Sequence, residues 1–344
     1  MALVDFTEKG LYCAQGDFYI DPWRPVSKAL ITHGHSDHSR YGHKAYIATH
    51  PSVPIIKHRL GNIRINGVDF NEALSINGVK VSFHPAGHII GSAQIRLEHK
   101  GEVWVISGDY KPDKDNCSED FELVKCHTFI TESTFGLPVF NWRPQQEIFD
   151  DIINWWQSNA EQGKTSLISA YALGKAQRII QGLSPDLPGK IYTHGAVENM
   201  NIVLREAGHD IQPTVRVTRD VTSKDLVGQL IIAPPSALGS AWIKRFKNPV
   251  IAMASGWMAL RGARRRRAAD RGFVLSDHAD WRGLNTVIKA TGAEKVFVTH
   301  GYTDIFTQWL RSIGIDADIV STEYGAEAED TLDMAYESSI SEPS

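Results

Sequence analysis

Along the first third of the chain the apolar positions come in short runs broken by turn residues, and each run is a strand by its length and composition: KALITH (28–33), KVSFHPAG (80–87), AQIRLEH (93–99), EVWVISGD (102–109) and TFITES (128–133). Lys100 and Gly101 supply the turn between the third and fourth. From Pro144 the spacing changes. Ile148, Ile152, Ile153, Trp155 and Trp156 recur at helical intervals and predict a helix running up to Gly163. Strand and helix then alternate: TSLISAYA (165–172) before a helix from Gly174, KIYTH (190–194) before one ending near Gly208, QLIIAPP (229–235) before AWIKRF (241–246), and PVIAMAS (249–255) before WMALRGARRRRAAD (257–270). Such alternation predicts a parallel α/β unit. After it come GFVLSDH (272–278), a helix from Trp281, KVFVTHG (295–301), a helix from Tyr302 and a last strand, DADIVS (316–321). The final 20 or so residues are acidic and Ser-rich and read as a frayed tail. There is no internal repeat and no low-complexity segment.

Composition narrows the class. With 344 residues, 42% apolar and 22% charged, the chain has the make-up of a soluble globular protein of one large or two intermeshed domains, and no run approaches the roughly 18 apolar residues of a membrane span. MALVDFTEKG lacks the basic and apolar regions of a signal peptide, so a cytoplasmic location is expected. Cys13, Cys117 and Cys126 are few, odd in number and without a CxxC pair, which favours reduced thiols over a disulfide framework or a thiolate zinc site. The net charge of −4 hides an uneven distribution. Residues 138–274 carry 18 Lys and Arg against 11 Asp and Glu, or +7, and the remainder 18 against 29, or −11. An acidic part suits cation binding, and a basic part beside it suits a polyanionic substrate.

The candidate chemistry starts at His33-Gly34-His35-Ser36-Asp37-His38, directly after the apolar strand. Three His and one Asp in that fixed pattern would arise by chance on the order of once in a thousand such sequences. Imidazole with carboxylate suits zinc or manganese, and a loop leaving a strand end can present alternate side chains to two adjacent ions. One motif cannot fill two coordination shells, so further ligands must come from elsewhere. His88 in PAGHIIGS, Asp109 in ISGDY and His300 in FVTHG stand at strand ends; singly each would more often be a satisfied core or surface residue, but with the first motif they make a set.

That set resembles the metallo-β-lactamase superfamily in order and position. The resemblance implies one metal held by His33, His35 and His88, a second by Asp37, His38 and His300, and Asp109 bridging both. Two ions roughly 3.5–4 Å apart would lower the pKa of a bridging water to give hydroxide near neutral pH and would neutralise charge in a phosphorane-like transition state. Zinc is the expected metal, with manganese as the alternative.

Superfamily membership leaves lactams, thioesters and phosphodiesters open, because function belongs to the site and not to the fold. The long segment between Asp109 and His300 narrows the choice. It contains Glu132-Ser133-Thr134-Phe135-Gly136 and Ser276-Asp277-His278-Ala279-Asp280, which resemble motifs A and B of the β-CASP nucleases, with His300 in the motif C position. The implied fold is α/β, a metallo-β-lactamase αββα sandwich formed by 1–137 and 275–344 with an inserted β-CASP α/β domain over 138–274. The implied catalytic residues are Asp37, His278 as general acid, and Glu132 as its partner, since a carboxylate that orients an imidazole fixes its tautomer and raises its pKa.

Two basic features fit a nucleic-acid substrate. SAYALGKAQRII resembles the β-CASP segment where a strand feeds a helix, and Lys175 and Arg178 in that helix's first turns would hold a phosphate, or else face solvent. The run Arg261, Arg264, Arg265, Arg266, Arg267 and Arg271 repels itself unless an anion lies against it, so contact with a nucleic-acid backbone is expected. With only 44 residues after His300, the chain most resembles the bacterial DNA-ligase-associated exonucleases. That resemblance implies DNA exonuclease activity in repair, with a DNA ligase or helicase as partner and no membrane. His at motif C is, however, typical of RNA-processing members, which keeps an exo- or endoribonuclease as the runner-up. A non-catalytic β-CASP scaffold and a small-molecule hydrolase are the remaining alternatives; the full ligand set speaks against the first and the basic insert against the second.

Overall fold

The computed structural model describes residues 2–183, 187–260 and 269–320. Its described residues divide into two compact units, one of 2–114, 118–141 and 278–320, the other of 115–117 and 142–277. The main divisions between them fall at 141/142 and 277/278.

The first unit is built on two sheets. Strands β1 (Asp5–Thr7), β2 (Gly10–Cys13), β3 (Phe18–Ile20), β4 (Ala29–Leu30), β5 (Tyr46–Thr49) and β6 (Ile65–Val68) form a sheet in sequence order, antiparallel up to β3 and parallel from there. The second sheet begins with β7 (Leu74–Ile76), β8 (Val79–Pro85), β9 (Ala93–His99), β10 (Glu102–Ile106) and β11 (Thr128–Ser133). It closes, after the other unit, with β18 (Lys295–Gly301) and β19 (Asp316–Ile319), in the order β19-β18-β11-β10-β9-β8-β7. Leu11, Phe18, Ile20 and Leu30 of the first sheet share one core with Val81, Phe83, Ile95, Ile106 and Ile130 of the second, so the sheets pack face to face. The outer face of the second sheet, through Val105, Phe129, Val296 and Val298, meets Leu284, Val287, Phe306 and Leu310 of helices Trp281–Thr291 and Thr303–Ser312. Helix α1 (Ser52–Leu60) puts Ile56 against Ala29, Ile31, Tyr46 and Ala48 on the outer face of the first. The layers are therefore helix, sheet, sheet, helix, an αββα sandwich. Strand β11, covered on both sides, is buried at every position, as a strand in a two-sided parallel setting must be.

The second unit carries a six-stranded, wholly parallel sheet: β12 (Ser166–Ser169), β13 (Ile191–Thr193), β14 (Val215–Arg216), β15 (Leu230–Ala233), β16 (Val250–Ala254) and β17 (Arg271–Phe273), ordered β14-β13-β15-β12-β16-β17. Helix α2 (Gln145–Glu161) buries Ile148, Ile152, Trp155 and Trp156 of the stripe expected from the sequence, while Ile153, on its flank, is only half-buried. Helices α3 (Lys175–Gly182) and α4 (Gly195–Glu206) follow β12 and β13. One expectation fails: AWIKRF forms only a single 3₁₀ turn, Ile243–Arg245, after a four-residue helix α5 (Pro235–Leu238). Its apolar residues, Trp242 and Phe246, are four apart and fill the unit's core without needing a longer helix. Among the described residues no helix is long and apolar enough to cross a membrane. The helices of the first unit that follow are α6 (Trp281–Thr291) and α7 (Thr303–Ser312).

Candidate metal centre

Each metal-ligand candidate leaves the end of a strand in the first unit, and the local sequence explains why. Beyond β4 the chain turns at Thr32 into the His33–His38 loop, which Arg59 of α1 braces by donating to the Gly34 carbonyl and to Ser39 Oγ at 2.7 Å. Beyond β8, Ser92 Oγ accepts the N–H groups of His88 and Ile89, closing a tight loop around His88. Beyond β10, Gly108 takes φ +54 against Thr32, where a Cβ would lie 2.6 Å from Thr32 Oγ1, and this close approach delivers Asp109 to the His33 loop.

His300 arrives through a β-bulge. Glu132 pairs with Thr299 but Ser133 with Gly301, so His300 is the extra residue on β18 and adopts φ +51, a left-handed conformation that a side chain other than glycine takes only under constraint. Its carbonyl accepts a hydrogen bond from Ser133 Oγ.

The side chains converge. Donor atoms of His33, His35, His88 and Asp109 lie within 4.8 Å of one another, as do those of His33, Asp37 and His38. His35 Nδ1 is 3.1 Å from His33 Nε2 and 3.0 Å from His88 Nε2, and Asp109 Oδ2 is 3.5 Å from His33 Nε2 and 3.4 Å from His38 Nε2. His300 is the least converged of the seven: its ring centre stands 5.4 Å from that of His38, and it shares the lining of one cavity with Asp37, His38 and Asp21.

Two observations fit this set to cations. Asp37 Oδ2, His38 Nε2 and Asp109 Oδ1 are buried without a hydrogen-bond partner among the described residues, a state proteins avoid unless something else satisfies the atoms. Three imidazole nitrogens with a carboxylate oxygen make a donor set of zinc type. The electrostatics agree. Burial holds the His33 imidazole well below its ordinary pKa, and the neighbouring His38 and His88 add to this. Burial would also lower His38, but Asp37, Asp109 and Asp21 outweigh it and raise His38 well above. Asp37 and Asp109 are in turn kept ionised against burial, chiefly by His38. The carboxylates thus demand positive charge where the imidazole nitrogens meet.

Beside the centre stands the pair of motifs A and B. Glu132, 1% exposed at the end of β11, lies 3.0 to 3.1 Å from His278 Nδ1 through both oxygens. Its Oε1 also accepts the Tyr110 N–H at 3.0 Å and its Oε2 the Thr134 N–H at 3.3 Å. Oxygen and nitrogen atoms of Asp109, Glu132 and His278 fall within 4.8 Å of one another, and the His278 and His88 rings are 4.6 Å apart. With Nδ1 engaged by Glu132, proton exchange with a ligand falls to Nε2.

The expected phosphate contacts turn out differently. Lys175 and Arg178 are 4% and 2% exposed, because Asp277 and Asp115 draw their charges inward. Arg261, Arg264, Arg265, Arg266 and Arg267 lie outside the described residues. Arg271, the last of that run, lies at the start of β17 with its guanidinium over the Phe273 ring. One participant was not read from the sequence. Asp21, just past β3, binds His38 Nδ1 at 2.8 Å and Thr32 through its N–H and Oγ1. The available signal was a carboxylate at a strand end with a proline after it.

No family model matches the chain. It is 30% identical over 313 residues to a protein of Opitutus terrae named probable DNA ligase, a match that takes in 90% of this chain and 30% of that protein. It is 24% identical over 226 residues to an RNase J-like protein of Methanocaldococcus jannaschii, 56% of this chain and 53% of that one. It is 32% identical over 120 residues to cleavage and polyadenylation specificity factor subunit 3-I of Arabidopsis thaliana, 34% of this chain and 17% of that one. The chain therefore spans about half or less of the length of these relatives. A solved protein of unknown function from Enterococcus faecalis V583 has the same fold, with a TM-score of 0.60 over 86% of this chain and 79% of that one at 10% identity. With its αββα layers, inserted parallel α/β unit and these relatives, the chain belongs to the β-CASP group of the metallo-β-lactamase superfamily.

Proposed function

We propose that the chain is a two-metal phosphodiesterase that degrades nucleic acid, and that its substrate is DNA, cut from an end during repair. The observation that carries the reading is the Glu132–His278 pair set beside Asp109: a buried carboxylate aligning an imidazole next to a donor set for cations. His33, His35 and His88 would hold one ion, Asp37, His38 and His300 the other, and Asp109 both, with zinc favoured and manganese the alternative. Bound there, such ions supply a nucleophile at neutral pH and neutralise charge on the phosphate. His278 gives its proton to the leaving oxygen as the phosphorus–oxygen bond breaks. Glu132, accepting from Nδ1–H, orients the ring with Nε2 toward the leaving oxygen and favours the imidazolium, the form that has a proton there to give. Asp21 fixes His38 with its Nε2 toward the centre.

The DNA reading draws on the match over 90% of the chain to a protein named for DNA ligation, which suggests a DNA ligase as partner; a helicase as the alternative partner and a cytoplasmic setting belong to the same reading by family resemblance and by the N-terminal sequence. A ribonuclease is the second reading, favoured by His300 at motif C and by relatives named RNase J-like and cleavage and polyadenylation factor. With Lys175 and Arg178 directed inward, backbone contact is assigned to Arg261 and Arg264 to Arg267. Neutralising the last four should reduce the slope of log affinity against log salt by about 0.9 per lost contact on duplex DNA. The assay that separates the readings uses end-labelled single- and double-stranded DNA and RNA with zinc or manganese added. Loss of label from DNA ends supports the proposal, cutting of RNA alone favours the second reading, and no cutting of any of the four contradicts both.

A further inference from the structure

Four charged side chains of the second unit, Asp115, Lys175, Arg178 and Asp277, form a buried cluster that none of the chemistry above uses. Arg178 Nη1 lies 3.2 Å from Asp277 Oδ1 and donates to the Ser276 carbonyl at 2.8 Å, while its Nη2 pairs with Asp115. Lys175 Nζ stands 3.2 Å from Asp277 Oδ2. The two cations and two anions balance, yet buried pairs of this kind are poor net stabilisers, because the cost of desolvating the ions consumes most of the attraction. Their best-attested use is to fix a geometry. A guanidinium does this better than any other side chain, since its planar fork binds two acceptors in set directions.

What the cluster fixes is the stretch of chain that leads into His278. One guanidinium nitrogen donates to the Ser276 carbonyl and stands at ion-pair distance from the Asp277 carboxylate, so turning the peptide between them would weaken both contacts. Asp277 is bonded directly to His278. Just past His278, Ala279 N–H donates to the Tyr110 carbonyl at 2.7 Å, and Asp280 caps α6 through Gly283 N–H at 2.7 Å. The ring itself rests on Glu132.

We infer that Lys175 and Arg178 are positioning residues that act through Asp277 to set the aim of the His278 imidazole. The inference rests on the reading of His278 as proton donor. A proton donor displaced by an ångström forfeits much of its effect, on the order of 10²-fold in rate, without any change in substrate affinity.

Arg178→Lys in the full, metal-loaded chain tests this, because lysine keeps the charge and loses the fork. On a single-stranded DNA oligonucleotide kcat should fall by about 10- to 100-fold with KM within about twofold, whereas bis(p-nitrophenyl) phosphate, whose leaving group needs no proton, should be cut at close to the wild-type rate. Hydrogen exchange should quicken at residues 276–279 and stay as in wild type at 33–38. In a His278→Ala background the same substitution should have no further effect. Asp277→Asn, nearly isosteric, should reproduce the pattern. Equal losses on both substrates, losses that persist in the His278→Ala background, or exchange that quickens throughout the molecule would each overturn the inference and leave the cluster a structural feature. A His278→Ala chain as active as wild type on the oligonucleotide would instead remove the proton-donor reading, and the inference with it.

Discussion

Asp21 Oδ2 lies 2.8 Å from His38 Nδ1, and the same carboxylate accepts the Thr32 N–H at 2.8 Å. One acid therefore fixes both the ring of a ligand candidate and the backbone at the start of the loop that carries it. A ligating imidazole held this way keeps its other nitrogen for metal and gains basicity, and losing the partner commonly costs 10- to 100-fold in metal affinity. Asp21→Asn should weaken binding of zinc by about that factor in a chelator competition. Asp109→Ala, which removes a carboxylate lying 3.5 Å from His33 Nε2 and 3.4 Å from His38 Nε2, should lose metal outright by elemental analysis. Wild-type affinity in the first variant, or two ions retained in the second, would contradict these roles.

The bulge at His300 makes a separate prediction. Gly301 sits at φ +78, and a Cβ there would lie 2.2 Å from the Ser133 carbonyl oxygen, backbone that cannot step aside. Gly301→Ala should lower stability by more than about 1 kcal/mol, read as a shift in urea midpoint, and should loosen His300. A midpoint equal to wild type would mean that the bulge is not held by this contact.

How much of this was legible in the sequence depended on whether the signal was local. His33 to His38 form one short motif, and His88, Asp109 and His300 follow strands whose alternation is plain, so their convergence could be anticipated. Asp21 carries no motif; its role appears only when β3 and β4 lie side by side. From the sequence alone Lys175 and Arg178 point to a phosphate or to solvent, because the partners that turn them inward, Asp115 and Asp277, are remote in sequence. The N-terminal strands β1 to β3 are three or four residues long, too short for alternation to register. The bulge at His300 needed the pairing register of β11 and β18, which no single-strand pattern contains.

His43 gives the fold a pH dependence distinct from that of the metal site. Burial pushes its imidazole from 6.5 down to about 4, and its Nδ1 accepts the Val26 N–H, a role that protonation would end. The unfolded chain thus binds a proton between these values that the folded chain refuses, so stability falls as pH drops through that window. His43→Asn keeps an acceptor and cannot titrate. Its urea midpoint should decline less steeply than that of wild type from about pH 6.5 to about pH 4. Parallel curves would show that His43 contributes nothing to acid sensitivity.

The central claim is that His278, aligned by Glu132, protonates the leaving oxygen and does not ligate metal, and one variant tests it most directly. For His278→Ala, metal content by elemental analysis and turnover of an end-labelled DNA strand are measured on the same sample. The account predicts wild-type metal content with turnover lowered by roughly 10²- to 10⁴-fold, the scale expected for loss of a positioned acid. A variant stripped of metal would make His278 a ligand, and one with wild-type turnover would leave the site without its proposed acid.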